Sequence, residues 1–275
     1  MATPEQTMWI QIAGAAVSSL GCAGSLWYGF NRMHKYRLIA DTPTSKVRSL
    51  AMGLVEIKGN AVADVYLKAP FSQKDCVYYH YVIKEYRRHV TSDSKGRAQV
   101  HYSWDVVGSG ERRMPFYGKD DTGKVLIRPD GAEFNIPCKQ VFLQRNGLFG
   151  AIGAVIGALQ SFDKKGSGKV DMNALRLEPI DEKKFALRMY GVGDRKYYEY
   201  YLTPEEPLYV LGTAENEGQT VAIKKGTNEP TFLISDKSEK ELVKSLKWTM
   251  IGMFALGIGL AILAVYILLI LIGIA

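Results

Sequence analysis

Two long uncharged stretches frame the chain. No Asp, Glu, Lys or Arg occurs between Gln6 and Asn31, nor between Trp248 and Ala275. A helix needs about 20 apolar residues to cross the ~30 Å hydrocarbon core of a bilayer. The pattern therefore predicts a membrane-spanning helix over 8–30, and a second within 238–273 after an amphipathic lead-in. The second is apolar all round, unlike a helix that buries one face in a soluble protein. A cleaved signal peptide carries its basic residues ahead of the apolar run. Here only Glu5 precedes that run and the basic residues follow it, so a retained helix is expected.

Between the helices the pattern changes to period two. In "VYYHYVIKEYRR" one face reads Val77, Tyr79, Tyr81, Ile83 and the other Tyr78, His80, Val82, Lys84, Tyr86. Such alternation of aromatic and β-branched residues predicts a strand. "LVEIKGNAVA" (54–63) reads as strand, Gly-Asn turn, strand; "DDTGKVLIRPDGAEF" (120–134) as a strand between two turns; 206–226 as a hairpin; "TFLISD" (231–236) as a final strand. Helical signals are few. "TPTSKVRSLAMG" (42–53) has Thr44 or Ser45 as N-cap and Gly53 as stop, and "SEKELVKSLK" has Ser238 with Glu241 three residues on, a capping box. The fold class expected is α+β: a β-rich membrane-side domain at 45–236, a basic linker at 31–44, and a transmembrane helix on each side. The tyrosine runs, in "DCVYYHYVIKEYRRHV" and "RKYYEYYL", are read as sheet packing, with each hydroxyl finding a partner or water.

Charge sets an orientation. The 275 residues carry a formal net charge of +7. Arg32, Lys35, Arg37 and Lys46 follow the first span; Lys237, Lys240, Lys244 and Lys247 precede the second; no Lys or Arg lies beyond either. The excess of Lys and Arg marks the cytoplasmic side, so both termini are expected outside and the domain in the cytoplasm. Arg32, Lys35, Arg37, Lys244 and Lys247 are the candidate headgroup contacts, with Trp9, Trp27, Tyr28 and Trp248 as interfacial anchors. Basic charge also suits nucleic acid, but no nucleic-acid motif is present.

The order of motifs resembles the GIDE (beside-a-membrane) domain found between the two membrane helices of organellar membrane ubiquitin ligases. It runs from "PTSKVRSLAMGLVEIKGNA" through "CVYYHYVIKEY" and "PFYGKDDTGKVLIRPDGAEF" to "YYEYYLTPEEPLYVLGTA" and "FLISDKSEKEL". The resemblance extends over roughly residues 8 to 270. It implies a mixed α+β domain beside a membrane. It does not carry over the ligase activity, because the RING of those ligases holds two zinc ions with eight Cys and His ligands. This chain has Cys22, Cys76 and Cys138, His34, His80, His89 and His101, and no CxxC pair. That points to a RING-less, prokaryote-like form, with the cell membrane as its location.

Other chemistry is weak. His80 lies on the same strand face as Cys76 but four residues away, some 13 Å, too far for direct proton transfer. "KKGSGKV" (164–170) departs from a phosphate loop at Asp163 and Val170. "DDTGKV" has too few oxygen ligands at alternating spacing for calcium. The uncharged insert "GLFGAIGAVIGALQSF" (147–162) places Leu148, Ile152, Val155, Ile156 and Leu159 at helical spacing, and with Phe149 these are candidate membrane or partner contacts. The functional expectation is a non-enzymatic two-span scaffold without cofactor or metal. Its partners are the lipid bilayer and further copies of itself or a membrane-protein partner, not nucleic acid. The alternative is a ubiquitin-ligase-like membrane protein, or an enzyme subunit with an unrecognised site.

Overall fold

A computed structural model describes residues 4–93, 95–145, 177–181, 190–218 and 220–272. The insert at 147–162 and the Gly-rich "KKGSGKV" lie outside the described residues. The chain divides into a helical unit from both ends and a β-rich unit spanning Ser45–Asp236. Two long apolar helices at the ends and a strand-rich region between them make the fold α+β.

Helix α1 spans Pro4–Asp41 and helix α2 spans Glu239–Ile272. α1 runs through Arg32–Ile39, a stretch the sequence suggested as linker, because good helix formers continue there. Pro43 follows the end, and a residue ahead of proline is pushed out of helical geometry. At α2 the expected cap forms: the Glu241 N–H reaches the Ser238 side-chain oxygen at 3.4 Å, and the helix continues unbroken into the apolar run.

The strands are β1 (Gly53–Val62), β2 (Leu67–Lys68), β3 (Asp75–Cys76), β4 (Tyr78–Ser92), β5 (Ala98–Arg113), β6 (Phe116–Lys119), β7 (Lys124–Ile127), β8 (Glu133–Asn135), β9 (Gln140–Gln144), β10 (Glu178–Ile180), β11 (Arg195–Leu202), β12 (Pro207–Glu217), β13 (Thr220–Lys224) and β14 (Leu233–Ser235). β1 pairs with β6, β6 with β7, β7 with β13, β13 with β12, and β12 returns to β1. The pairing closes on itself, so these five strands form a small barrel, with β14 added on β12 and β8 on β14. Closure leaves those strands without a free edge, which removes the usual route to edge-to-edge aggregation. Its interior is apolar: Val55, Ile57, Phe116, Ile127, Val210 and Ile223 are all buried. Each large side chain so buried is worth about 1.5–3 kcal/mol.

The second layer is an antiparallel sheet in the order β10-β9-β11-β4-β5. Its inner face holds Tyr79, Tyr81, Ile83, Phe142, Tyr197 and Tyr201, closed by Phe71, whose ring lies edge-on to Tyr197 at 5.1 Å and to Tyr81 at 5.6 Å. Most of the tyrosines in the two runs therefore do pack a sheet. The Tyr197 hydroxyl donates to Gln144 at 2.6 Å, which lets a polar group sit in the core.

Two sequence expectations are corrected. Residues 54–63 form one strand, not a hairpin; Gly59 is there because β6 approaches closely. A Cβ at 59 would stand 2.1 Å from the Lys119 carbonyl oxygen. Residues 42–53 are extended except for one 3-10 turn, Val47–Ser49. Their backbone donors are satisfied sideways: Ser45 N–H to the Glu56 carbonyl at 2.7 Å, Val47 N–H to the Asp120 carboxylate at 2.9 Å, Arg48 N–H to the Thr122 hydroxyl at 3.1 Å. Helical bonds would have to give these up. The same Asp120 accepts the N–H groups of Thr122 and Gly123, so "DDTG" is a clamp between segments. Desolvation raises its pKa, but the Val47, Thr122 and Gly123 donors outweigh that and hold it down at about 2.

Candidate functional site

The helical unit is built on a seam of small residues. Built Cβ atoms at Gly14, Gly21 and Gly29 of α1 would meet Ile267, Leu260 and Phe254 of α2 at 3.6, 3.1 and 3.0 Å. As numbers rise in α1 they fall in α2, so the helices are antiparallel. In α2 the sheltered positions Met250, Met253, Gly257, Leu260, Ala264, Ile267 and Leu271 alternate by three and four residues. That is the heptad spacing of a left-handed pair. Opposite them stand Ala15, Ser18, Ser25 and Gly29, all buried. Ser18 and Ser25 turn their hydroxyls onto their own helix, donating to the carbonyls of Gly14 at 2.8 Å and Cys22 at 2.9 Å. Small residues let the backbones approach, which is how helices associate where no hydrophobic drive exists between them.

The other faces are apolar and bare. Val17 is 70% exposed, Leu20 74%, Trp27 71% and Ile262 65%. A water-soluble helix pair does not leave such residues open. Both helices are long and apolar enough to cross a membrane. The antiparallel pairing also gathers the basic residues named from the sequence. Arg32, Lys35 and Arg37 lie near the end of α1, beside the start of α2 with Lys244 and Lys247. Arg32 donates to the Tyr28 hydroxyl at 2.5 Å and sits 4.9 Å over its ring, so its long side chain folds back along the helix. The six insert residues named with them, Leu148, Phe149, Ile152, Val155, Ile156 and Leu159, fall outside the described residues.

The β-rich unit meets several of its buried ionic groups with donors or counter-charges. Glu199 is fully buried on β11 and accepts the N–H of Phe71 at 2.7 Å and of Ser72 at 3.1 Å. Burial raises its pKa, against those donors. Arg195, also buried, donates to Glu85 at 2.9 Å. Desolvation raises the Glu85 pKa, but Arg195 and then Arg87 more than offset it and leave it lowered. Tyr209 donates to the buried Glu56 at 2.8 Å, and Lys139 bridges Glu206 and Asp236. Glu199, Glu85 and Glu56 are acids that the strands shelter because a donor meets each of them. The sequence signal for them is a charge inside an apolar alternation, as in "YYEYY".

Nucleophile chemistry finds little support in this geometry. Cys76 is buried, its thiol 3.7 Å from the Leu67 carbonyl, and burial pushes its pKa up, away from the thiolate. His80 instead lies 5.4 Å from the Tyr200 ring. Cys138 borders an open cleft of about 740 Å³ with Lys74, Lys139 and Tyr201. There Lys139 is held by its two carboxylates and Lys74 lies over the Tyr201 ring at 5.6 Å. Among the described residues no three His, Cys, Asp or Glu side chains gather as metal ligands.

No curated protein and no solved structure matches the chain significantly. One family model does, over residues 163–269, a stretch that takes in β10 to β14 and most of α2. Two of the motifs that carried the resemblance, "YYEYYLTPEEPLYVLGTA" and "FLISDKSEKEL", lie inside it; the earlier ones lie ahead of it. Together with the two apolar helices, this fits a membrane protein related to ubiquitin ligases. The matched family is GIDE, described as E3 Ubiquitin ligase, and residues 163–269 of this chain are similar to it.

Proposed function

We propose that the chain is a non-enzymatic, two-span membrane scaffold. Its β-rich domain stands on the cytoplasmic side and engages headgroups or a membrane-protein partner, as an oligomer or as one subunit of a complex. The observation that carries this reading is the antiparallel helix pair, apolar outward along its length, with its Lys and Arg at one end only. Such a pair has one stable placement in a bilayer, with the basic end in the cytoplasm and Arg and Lys at anionic headgroups. Native Cys138, exposed on the domain, serves as the reporter. In intact cells a membrane-impermeant maleimide is expected to miss Cys138 and to label an added cysteine at position 2. Permeabilised cells should label both. Labelling of Cys138 from outside reverses the orientation.

A second reading, a part in ubiquitin transfer, is favoured by the description of the matched family. It is separated by metal content and activity. The full chain is expected to hold no stoichiometric zinc and to form no ubiquitin conjugates with activating and conjugating enzymes present. Two tightly held zinc ions per chain, or conjugate formation, would establish the second reading in place of the first.

A further inference from the structure

β11 pairs with β4 only as far as Arg195 opposite Glu85. From Arg87 opposite Ser103 out to Ser92 opposite Ala98, β4 and β5 pair only with each other among the described residues. Six residue pairs at ~3.3 Å per residue make a free ribbon of about 20 Å. A β-bulge between Ile83 and Lys84 sits at its root, where bulges sharpen twist and redirect a strand pair.

The ribbon is two-faced. Directly opposed residues share a face. One face carries Lys84 with Val106, Tyr86 with Trp104, Arg88 with Tyr102, and Val90 with Val100. The other carries Glu85 with Asp105, Arg87 with Ser103, and His89 with His101. Both carboxylates thus lie on the second face, while the first holds aromatic rings, valines and cations. The first is also open: Val90 is 56% exposed, Val106 60% and Tyr102 50%. Tyr86 bridges Tyr102 at 5.7 Å and Trp104 at 5.2 Å, and Lys196 caps Trp104 at 4.8 Å, so the rings are fixed as a platform.

We propose that this face of the β4–β5 ribbon docks on the anionic phospholipid surface beside the helix pair. The inference rests on the membrane-anchor reading above. Tyr, Trp and aliphatic groups with cations among them are the composition that settles at a bilayer interface, the rings at headgroup level and the cations on lipid phosphates. Charge complementarity favours lipid: the first face carries Lys84 and Arg88 with no acid, Lys95 adds a cation in the connecting turn, and Arg87 and Arg97 are paired with Glu85 and Asp93. Reach permits it. Residues 42–44 connect α1 to the β unit, and residues 237–238 connect that unit to α2. α1 extends from Arg32 to Asp41 beyond its uncharged stretch, about 15 Å at ~1.5 Å per residue, within the span of the ribbon. Docking also offsets the marginal stability of an isolated two-stranded ribbon.

The test uses the full chain with Cys22→Ala and Cys138→Ser, leaving the buried Cys76. An environment-sensitive dye is placed at Val100→Cys, and separately at Ile262→Cys on the outer face of α2. Nanodiscs of phosphatidylcholine are compared with and without phosphatidylserine. The ribbon dye is expected to shift to the blue and resist dithionite when phosphatidylserine is present. Arg88→Gln with Lys95→Gln should lower the docked fraction about 25-fold, at roughly five-fold per cation. A water-like dye at position 100 with a protected dye at 262 overturns the ribbon proposal alone; water-like dyes at both overturn the anchor as well. Protection of position 100 that requires two copies in one disc assigns the face to a dimer and also overturns the lipid proposal.

Discussion

Alanine at position 59 is expected to prevent the barrel from closing. β1 pairs with β12 over Gly53–Asn60 and hands over to β6 at Asn60. Gly59 sits at that handover. A Cβ there would stand 2.1 Å from the Lys119 oxygen and 2.8 Å from its carbon, both backbone atoms that no rotamer change can move. Either β6 swings out, breaking the ring of pairings, or β1 distorts where Ile57 and Ala61 fill the interior. The cost is on the order of 3 kcal/mol or more, in the range of severe overpacking. In a urea titration followed by near-ultraviolet dichroism, Gly59→Ala should unfold far below the wild type. Gly123→Ala, whose Cβ would meet Val47 at 3.4 Å, should remain close to it. Equal midpoints for the two variants would remove the close-approach argument.

Glu199 carries the other large effect. Its carboxylate is the partner of two backbone donors, from Phe71 and Ser72, in a turn that holds Gln73 at a φ of 57°. Glu199→Ala leaves the buried Phe71 N–H unmet, at about 1–3 kcal/mol, and the half-buried Ser72 N–H without its acceptor. Glu199→Gln keeps an oxygen for them and should retain most of the stability. The two variants also differ in pH response. Burial raises the native pKa of Glu199 above its ordinary 4.5. The folded state therefore holds this proton more tightly than the unfolded chain. The contribution of the group is fully present below ~4.5 and declines as pH rises through the raised native value. Denaturation midpoints taken between pH 4 and 8 should show that decline in the wild type and a flatter line in Glu199→Gln. A steeper line in Glu199→Gln than in the wild type would show that the charged form is the favoured one.

The apolar ends were legible because bilayer thickness sets a length that a sequence either has or lacks. The strand over Val77–Ile83 was legible because one face is buried, which forces alternation. Ser238 was legible because capping is local. Three features were not. Residues 42–53 show helix caps, but the donors of Val47 and Arg48 are met by Asp120 and Thr122, and no local pattern records partners 73 and 74 residues away. Gly59 looks like a turn because a glycine needed for close approach and one needed for a turn are the same letter. The amphipathic ribbon is written in Tyr86, Arg88 and Val90, but its pairing with Val100, Tyr102 and Trp104 depends on a register that the bulge shifts. The basic end of the helix pair was visible as charge on either side of the domain, and only antiparallel packing brings the two sets together.

That packing has a consequence for synthesis. The seam partners Gly29 and Phe254 are separated by the whole β-rich unit, so α1 is synthesised long before α2 exists. At ~5–20 residues per second the delay is on the order of ten to forty seconds. On the membrane reading proposed above, Ser18, Ser25 and the glycines of α1 spend that interval as a small-residue face without their α2 partner. Both serines meet the wait alone, their hydroxyls bonded to the α1 backbone. The hairpin forms last, after the domain between its two halves has been made.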